Sequence, residues 1–500
     1  MEIALTPLDF LERARRLFAD RIGVIDGDHE FTYSDFGRRC DQHTALLHHE
    51  LGIRPGDVVA WLCANTHELL EAYYGVLRAG AVLLPINVRL SPTEMRHVLD
   101  DSRAAILFRH LDQPDPQPSV RTVLVDSSFD DALRRHEGAE LPPMEIDERD
   151  AAEIFYTSGS TGLPKGAVLT HRSLYLHAVH SALTSQVTGD DVILHTIPLF
   201  HVNGWGVPHY LTMLGGQHVM LPRFDTTEVL RLIHQHRVTR LNAVPTMMRM
   251  ILDHPRRSEY DLSSLTHVLL GGSPPGAGLM AEVEAAFGCP CLCGYGMTEA
   301  GPSLTRSVPK PGTTSTVEQR ASTGWPIMGV DVRVFDDAGR EVPWDDETVG
   351  EICARSNHIM REYVHAPEAT AKVIVDGWLR TGDLAVVRPD GYLRLVDRKK
   401  DLIISCGENI ATPEVEAVLA LHPAVREVSV VGVADERWGE VPRAFVVVAP
   451  GAEIAADELT AFARERLAHF KVPRDIVFLD QLPMSGTGKI SKVALRDWPT

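Results

Sequence analysis

The stretch Thr157-Ser158-Gly159-Ser160-Thr161-Gly162-Leu163-Pro164-Lys165-Gly166 decides how the rest of the chain is interpreted. It lies between two apolar segments, 152–155 and 167–169, that are typical of buried strands. Its glycines let backbone N–H groups approach an anion closely, its hydroxyls donate hydrogen bonds, and Lys165 adds positive charge. The pattern predicts a phosphate-binding loop, and the alternative is a flexible turn. It is not a Walker loop, because Gly166 and not Ser or Thr follows the lysine.

Around this loop, helical and strand patterns alternate along the chain. Residues 8–18 and 68–78 have the apolar spacing of amphipathic helices, and residues 58–64 and 81–85 read as short buried strands. This alternation is typical of parallel sheets covered by helices, so we expect an α/β fold. The segment 307–323 is rich in Thr, Ser, Pro and Gly and is predicted to be a loop.

The composition excludes several classes of protein. The chain has 500 residues, of which 44% are hydrophobic and 23% charged, so it is not a disordered or low-complexity chain. The formal net charge of −19 gives no chain-wide basic footprint for nucleic acid. The seven cysteines are too few for a disulfide scaffold. No secretory signal and no apolar run of about 18 residues is evident, so we expect a cytoplasmic protein without an integral membrane segment.

The pattern changes near residue 397. A charged turn, 397–401, is followed by a region with short strand and helix patterns of its own, including strand patterns at 428–433 and 443–448 and a helical pattern at 457–467. We predict a large α/β domain over residues 1–396, a short charged linker over residues 397–400 and a small α+β domain over residues 401–500.

Taken with the phosphate loop, several later segments resemble the adenylate-forming (AMP-binding) superfamily, which includes acyl-CoA synthetases, peptide-synthetase adenylation domains and beetle luciferases. The matching segments, in the family's order, are 270–274, 294–299, 378–383, 397–401 and 485–490. The resemblance implies a large domain of parallel-sheet α/β subdomains with a β-barrel-like part. It also implies that the C-terminal α+β domain is mobile.

The same resemblance implies how ATP is held. Tyr295 would stack on adenine, and Asp383 would accept both ribose hydroxyls. Glu299 would ligate Mg²⁺, a hard cation that prefers carboxylate oxygen. The residues that the resemblance assigns to ATP or AMP are Thr157, Ser158, Gly159, Ser160, Thr161, Lys165, Gly271, Gly272, Ser273, Gly294, Tyr295, Gly296, Asp383 and Arg398. Those that it assigns to catalysis are Lys489, Glu299, Thr298 and His201.

Two further groups of residues follow from the resemblance. Lys489 would be a mobile lysine that reaches the α-phosphate during adenylation, and Lys400 would be the hinge residue. The residues that would bind CoA are Arg89, Gly407, Glu408, Trp438, Phe470 and Arg474. Packing within a small domain is the alternative explanation for Trp438 and Phe470.

By the same resemblance, the segment 198–205 lines the acyl pocket and indicates which acid is the substrate. The residues expected to line the acyl pocket are His201, Asn203, Gly204 and Trp205. His201 stands where amino-acid-activating relatives have Asp, which disfavours an amino-acid substrate. The segment looks most like that of fatty-acyl-CoA synthetases, in which a Trp gates the acyl tunnel. A core role is the alternative for Trp205.

The resemblance therefore implies an ATP-dependent acid–CoA ligase that uses Mg²⁺, forms an acyl-adenylate and releases AMP and pyrophosphate. A medium- to long-chain fatty acid is the expected substrate. The alternatives are an acyl-AMP ligase that passes the acyl group to a carrier protein, an aryl or short-chain acid–CoA ligase, and a non-enzymatic nucleotide sensor. A homodimer is compatible with the sequence, and no nucleic-acid partner is expected.

Overall fold

The structure is a computed structural model that describes residues 3–141, 145–157, 164–405, 408–435, 437–484 and 490–499. The chain divides into two compact units. One is Met1–Val332 with Ala354–Leu379, and the other is Arg333–Cys353 with Arg380–Thr500. The division into 1–396, 397–400 and 401–500 stays a prediction.

Helices and strands alternate through the described residues. The helices are α1 (Leu8–Leu17), α2 (Tyr33–Ala45), α3 (His67–Arg78), α4 (Pro92–Asp101), α5 (Ser127–Arg135), α6 (His171–Ser185), α7 (Val202–Trp205), α8 (Val207–Leu214), α9 (Thr226–His236), α10 (Pro245–Leu252), α11 (Ala277–Phe287), α12 (Val317–Ala321), α13 (Pro367–Val373), α14 (Thr412–Leu419), α15 (Ala456–Arg464) and α16 (Lys492–Arg496). The strands are β1 (Ile22–Asp26), β2 (His29–Thr32), β3 (Val58–Leu62), β4 (Val82–Pro85), β5 (Ile106–His110), β6 (Arg121–Val125), β7 (Ala151–Thr157), β8 (Lys165–Thr170), β9 (Val192–Leu194), β10 (Gln217–Val219), β11 (Arg240–Ala243), β12 (His267–Gly271), β13 (Cys291–Gly296), β14 (Ser303–Arg306), β15 (Trp325–Pro326), β16 (Val330–Phe335), β17 (Gly350–Ser356), β18 (Glu362–Tyr363), β19 (Ile374–Val375), β20 (Trp378–Val387), β21 (Leu393–Arg398), β22 (Ile403–Ser405), β23 (Glu408–Ile410), β24 (Val425–Asp435), β25 (Gly439–Val448) and β26 (Asp475–Phe478).

The first unit contains two large sheets. A seven-stranded sheet has the order β18-β8-β7-β4-β3-β5-β6, and a nine-stranded sheet has the order β15-β14-β13-β12-β11-β9-β10-β1-β2. The central pairs are parallel, and antiparallel strands such as β8 and β14 lie toward the edges. Strands buried on both faces are typical of parallel sheets covered by helices. The predicted α/β fold is confirmed.

Two five-stranded sheets complete the fold. One has the order β16-β17-β20-β19 with β21 beside β20, and it accounts for the β-barrel-like part. The other, in the second unit, has the order β23-β22-β25-β24 with β26 beside β25. Residues of α14 and α15 share a buried core with this sheet, which agrees with the small α+β region expected from the sequence.

One sequence expectation about local structure is wrong. The segment 307–323 is not entirely a loop, because α12 begins within it. The Thr316 hydroxyl accepts from the Gln319 backbone N–H, and the Gln319 side chain is bonded to the Thr316 backbone N–H. This capping box is a helix-start signal that composition alone conceals.

Within the described ranges, no helix combines the length and the apolarity that crossing a membrane would require. The cytoplasmic location stays a prediction.

Candidate active site

The predicted phosphate loop connects two antiparallel strands. Thr157 at the end of β7 pairs in register with Lys165 at the start of β8, so the strands fix both ends of the loop. Ser158, Gly159, Ser160 and Thr161 lie outside the described residues. The Lys165 ammonium nitrogen lies 5.7 Å from the centre of the Tyr363 ring, which is within the range of a cation–π contact.

The same tyrosine contacts the residue that the family resemblance assigns to the metal. Glu299 lies in a short 3-10 turn, Thr298–Ala300, directly after β13, and is only 6% exposed. Its Oε1 accepts a hydrogen bond of 2.6 Å from the Tyr363 hydroxyl. Burial, followed by the Glu299 charge and this bond, raises the pKa of Tyr363, so the hydroxyl is protonated and donates at neutral pH. Tyr363 therefore links Lys165 to Glu299.

The chemistry of this site fits Mg²⁺. Glu299 offers a carboxylate whose orientation is held by Tyr363, and the neighbouring Thr298 is also buried, at 7% exposure. Hard oxygen donors are the ligands that Mg²⁺ prefers, and it binds to one or two carboxylates together with phosphates. Glu299 is the residue that would hold the ion.

Two paired glycines lie next to each other in the nine-stranded sheet, on the strands β12 and β13. Gly271 of β12 pairs in register with Gly294 of β13. A Cβ on Gly271 would lie 2.9 Å from the Trp205 indole, so any larger residue would displace that ring. Farther along β13, a Cβ on Gly296 would lie 1.9 Å from the Pro302 carbonyl oxygen, so only glycine fits.

The other residues of these two glycine segments have mixed environments. Gly272 and Ser273 are exposed, and Gly272 has a φ of +82°, which favours glycine. Tyr295 is half-buried on β13. The segments predicted to bind adenine thus include buried positions as well as positions exposed to solvent. We call the side of the sheet toward which Cβ atoms on Gly271 and Gly294 would point the glycine face.

The predicted acyl-pocket segment has an unusual backbone. From Val202 to Gly206, five successive residues have positive φ angles of 37°, 42°, 53°, 63° and 85°. Residues with a Cβ disfavour this left-handed region, and such strain persists only where surrounding contacts impose it. His201 is half-buried immediately before the turn, and Trp205 is half-buried near its end.

A buried polar network provides those contacts. The Asn203 side chain is fully buried and donates to Glu153 Oε2 at 2.9 Å. The other carboxylate oxygen of Glu153 is 2.7 Å from His209 Nε2. The Asn203 amide therefore fixes the turn through its bond to Glu153. The Trp205 ring lies elsewhere, over Gly271. Gly204 is also buried and would place a Cβ 3.2 Å from Leu199.

In the second unit, two of the predicted nucleotide residues face each other. Asp383 of β20 pairs in register with Arg398 of β21, and Asp383 Oδ1 lies 3.4 Å from Arg398 Nε. Lys400 follows, and burial, with the nearby Arg398 charge, lowers its pKa. Glu408 is exposed on β23, while Gly407 and Lys489 lie outside the described residues.

Three of the predicted CoA residues take part in contacts between aromatic rings and cations. The Arg474 and Arg437 guanidiniums lie 5.2 Å and 5.0 Å from the centre of the Trp438 ring. Phe470 is half-buried, and the Lys471 ammonium is 5.8 Å from its ring centre. In the first unit, Arg89 is exposed.

Comparison with known proteins identifies the family. Residues 11–364 match the AMP-binding enzyme family, and residues 414–489 match the AMP-binding enzyme C-terminal domain. The chain therefore belongs to the AMP-binding enzyme family. It is 40% identical to the feruloyl-CoA synthase of Amycolatopsis sp., with 97% of each chain covered. It is 34% identical to 4-hydroxybutyrate–CoA ligase 2 of Metallosphaera sedula, with 99% of this chain and 94% of the relative covered.

A solved structure agrees with this assignment. The o-succinylbenzoate-CoA synthetase of Bacillus subtilis, in complex with its acyl-adenylate intermediate, superposes with a TM-score of 0.88 at 32% identity and 98% coverage of both chains. That enzyme has also been solved with ATP and a magnesium ion. Within the family, the chain is an AMP-forming acid–CoA ligase.

Proposed function

We propose that this ligase activates an aromatic or short-chain carboxylic acid and transfers it to CoA. The observation that carries the adenylation chemistry is the Tyr363 link between Lys165 and Glu299. The similar proteins named for feruloyl, 4-hydroxybutyrate and o-succinylbenzoate substrates support an aromatic or short acid. They give no support to the medium- to long-chain fatty acid expected from the sequence.

The position of Trp205 also favours a short pocket. Its indole lies so close to Gly271 that even a methyl group there would collide with it. The ring is half-buried and packs against the main hydrophobic core of the first unit. We infer that the indole closes the end of the acid pocket, so a long alkyl chain would have to displace a packed aromatic ring.

In the first half-reaction, a carboxylate oxygen of the acid attacks the α-phosphorus of ATP and the bond to pyrophosphate breaks. Lys165 and the hydroxyls of the phosphate loop bind the departing pyrophosphate. Glu299, oriented by Tyr363, holds Mg²⁺. When bound, the ion neutralises charge on the phosphate oxygens. We assign to Lys489 the neutralisation of charge at the α-phosphate.

In the second half-reaction, the CoA thiol attacks the acyl carbonyl and AMP leaves. The aromatic ring of Trp438, with Arg474 beside it, offers a stacking surface and positive charge for a phosphorylated nucleotide. Arg89, Glu408 and Phe470 remain proposed CoA contacts. Lys400 remains the proposed hinge.

A panel of acids tests the proposal. Pyrophosphate release is measured for benzoates, cinnamates, short aliphatic acids and fatty acids, with and without CoA, and the nucleotide product is separated by chromatography. We expect AMP, pyrophosphate and an acyl-CoA, with the highest kcat/KM for an aromatic or short acid. ADP and phosphate would contradict adenylation. Adenylation without any acyl-CoA product would favour the carrier-protein alternative.

The role of Lys489 is tested by separating the half-reactions. Lys489→Ala should slow acyl-adenylate formation about 10²- to 10³-fold, the usual cost of one transition-state donor. Acyl transfer to CoA from supplied acyl-adenylate should be nearly unchanged. Lys372→Ala, which removes an exposed lysine, is the matched control. Equal losses in both half-reactions would contradict the assigned role.

A further inference from the structure

Arg306 is a buried cation that forms no ion pair with any residue that the structure describes. It ends β14 and is only 6% exposed. Its Nε is buried and has no hydrogen-bond partner within the described part of the chain. Its Nη2 lies 3.5 Å from the Ser303 hydroxyl, at the limit of a hydrogen bond. Buried charges in proteins are normally paired, so this arginine requires an explanation.

The groups around Arg306 do not compensate its charge. Burial lowers its pKa, and the titratable groups whose charges oppose this effect are Tyr210 and Cys293. Burial raises the pKa of both groups, to about 12 for Cys293, so both are neutral at pH 7. Arg240 adds repulsion, and its own Nε lies 2.8 Å from Asp191. Among the described residues, no carboxylate is paired with Arg306. Because a guanidinium stays protonated in proteins, its positive charge is left uncompensated.

The guanidinium lies on the face of the sheet that holds the paired glycines. Arg306 pairs in register with Gly294, which pairs with Gly271. Residues paired in this way direct their side chains to the same face of a sheet. A Cβ on Gly294 would lie 3.7 Å from Arg306 Cζ, just as one on Gly271 would lie 2.9 Å from the Trp205 ring. Arg306 and Trp205 thus stand over neighbouring glycines.

We propose that Arg306 binds a second oxygen group of the substrate, distant from the carboxylate that is activated. A planar guanidinium matches a carboxylate in two parallel hydrogen bonds, and an anion would supply the missing counter-charge. The substrate class is therefore an acid with a second, distal carboxylate. An acid with a distal hydroxyl or phenol offers a weaker acceptor. This inference rests on the proposed function, because it takes the glycine face as the acid site.

The test begins with the wild-type enzyme and matched acids. The value of kcat/KM is measured by pyrophosphate release for 4-carboxybenzoate, 4-hydroxybenzoate and 4-methylbenzoate, and for glutarate, 5-hydroxypentanoate and hexanoate. We expect the dicarboxylate of the better series to exceed its methyl analogue by about 10- to 100-fold, since hydrogen bonds to charged groups are worth factors of this size. The hydroxy acid should rank between them. Equal values for the dicarboxylate and the methyl analogue, or a preference for the methyl acids, would overturn the proposal.

Variants of Arg306 then identify the residue responsible. Arg306→Met should reduce the ratio of kcat/KM for the dicarboxylate to kcat/KM for the methyl analogue to about one. Arg306→Lys keeps the positive charge but cannot form two parallel hydrogen bonds to a carboxylate, so it should give an intermediate ratio. Arg249→Met is the matched control, because that arginine pairs with Glu282 on the surface. An unchanged ratio in both Arg306 variants would overturn the proposal. If Arg306→Met does not fold, the wild-type ranking and the Lys variant still decide.

The outcomes separate this inference from the function on which it rests. If no acid yields AMP and pyrophosphate, the proposed ligase function fails. If AMP is formed but each matched pair reacts equally well, only the role of Arg306 is wrong.

Discussion

Replacing Tyr363 by Phe removes one hydroxyl and tests whether Tyr363 orients Glu299. The bond that is lost is 2.6 Å long and ends on a carboxylate that is only 6% exposed. Hydrogen bonds to charged groups contribute about 1.5–3 kcal/mol, which corresponds to roughly 10- to 150-fold in an equilibrium or rate constant. We expect kcat/KM for ATP to fall by about this factor. The Mg²⁺ concentration that gives half-maximal rate should rise, while the KM for the acid changes little.

The assay is pyrophosphate release at varied ATP, Mg²⁺ and acid, with thermal unfolding measured in parallel. Tyr156→Phe is the matched control, because the Tyr156 hydroxyl donates to Asp101 Oδ2 over the same distance of 2.6 Å. Both variants lose a hydroxyl–carboxylate bond, but only one of these bonds involves Glu299. If the two variants lose the same amount of activity, or if Tyr363→Phe does not alter the Mg²⁺ dependence, the reasoning is refuted.

Three further predictions concern stability and specificity. Glu153→Ala leaves the buried Asn203 amide and the His209 ring without their shared carboxylate, and two such unsatisfied groups should lower the free energy of unfolding by about 2–6 kcal/mol in urea denaturation; a loss below about 1 kcal/mol would contradict this. Trp205→Ala should extend activity to longer acids while the KM for ATP is unchanged, whereas a parallel loss of stability and of all activities would identify a core residue. Burial lowers the pKa of His43 to about 3, so the unfolded chain takes up a proton as the pH falls below about 6.5 and stability declines by up to about 1.4 kcal/mol per pH unit. His43→Leu should remove this contribution between pH 7 and pH 5, and an unchanged pH slope would contradict it.

Much of the fold was predictable, because periodicity records burial directly. The helical patterns at 8–18 and 68–78 became α1 and α3, and the apolar run at 58–64 became β3. Helix α12 was concealed, because its capping box lies in a segment rich in loop-forming residues. The loop-like composition of the segment favoured a loop, although Thr316 and Gln319 have the three-residue spacing of a capping box.

The sequence segments predicted the candidate site residues, but they did not predict which residues those side chains contact. Tyr363 is 64 residues from Glu299 in the sequence, and nothing around it marks a functional tyrosine. Glu153 did carry a signal, since it is a lone acid within an apolar strand. Arg306 reads as an ordinary polar residue at a strand end, and only the burial of its guanidinium without a carboxylate reveals it. Partners of this kind depend on tertiary packing, which residue spacing does not record.

The most direct measurement of the central claim follows oxygen from the acid into the nucleotide. The enzyme is supplied with an acid labelled with ¹⁸O in its carboxylate, together with ATP, Mg²⁺ and CoA, and the AMP is analysed by mass spectrometry. If the acid attacks the α-phosphorus, one labelled oxygen stays on AMP when the CoA thiol displaces it. We predict AMP that carries a single ¹⁸O and pyrophosphate that carries none. Unlabelled AMP, or label in inorganic phosphate, would contradict an acyl-adenylate intermediate.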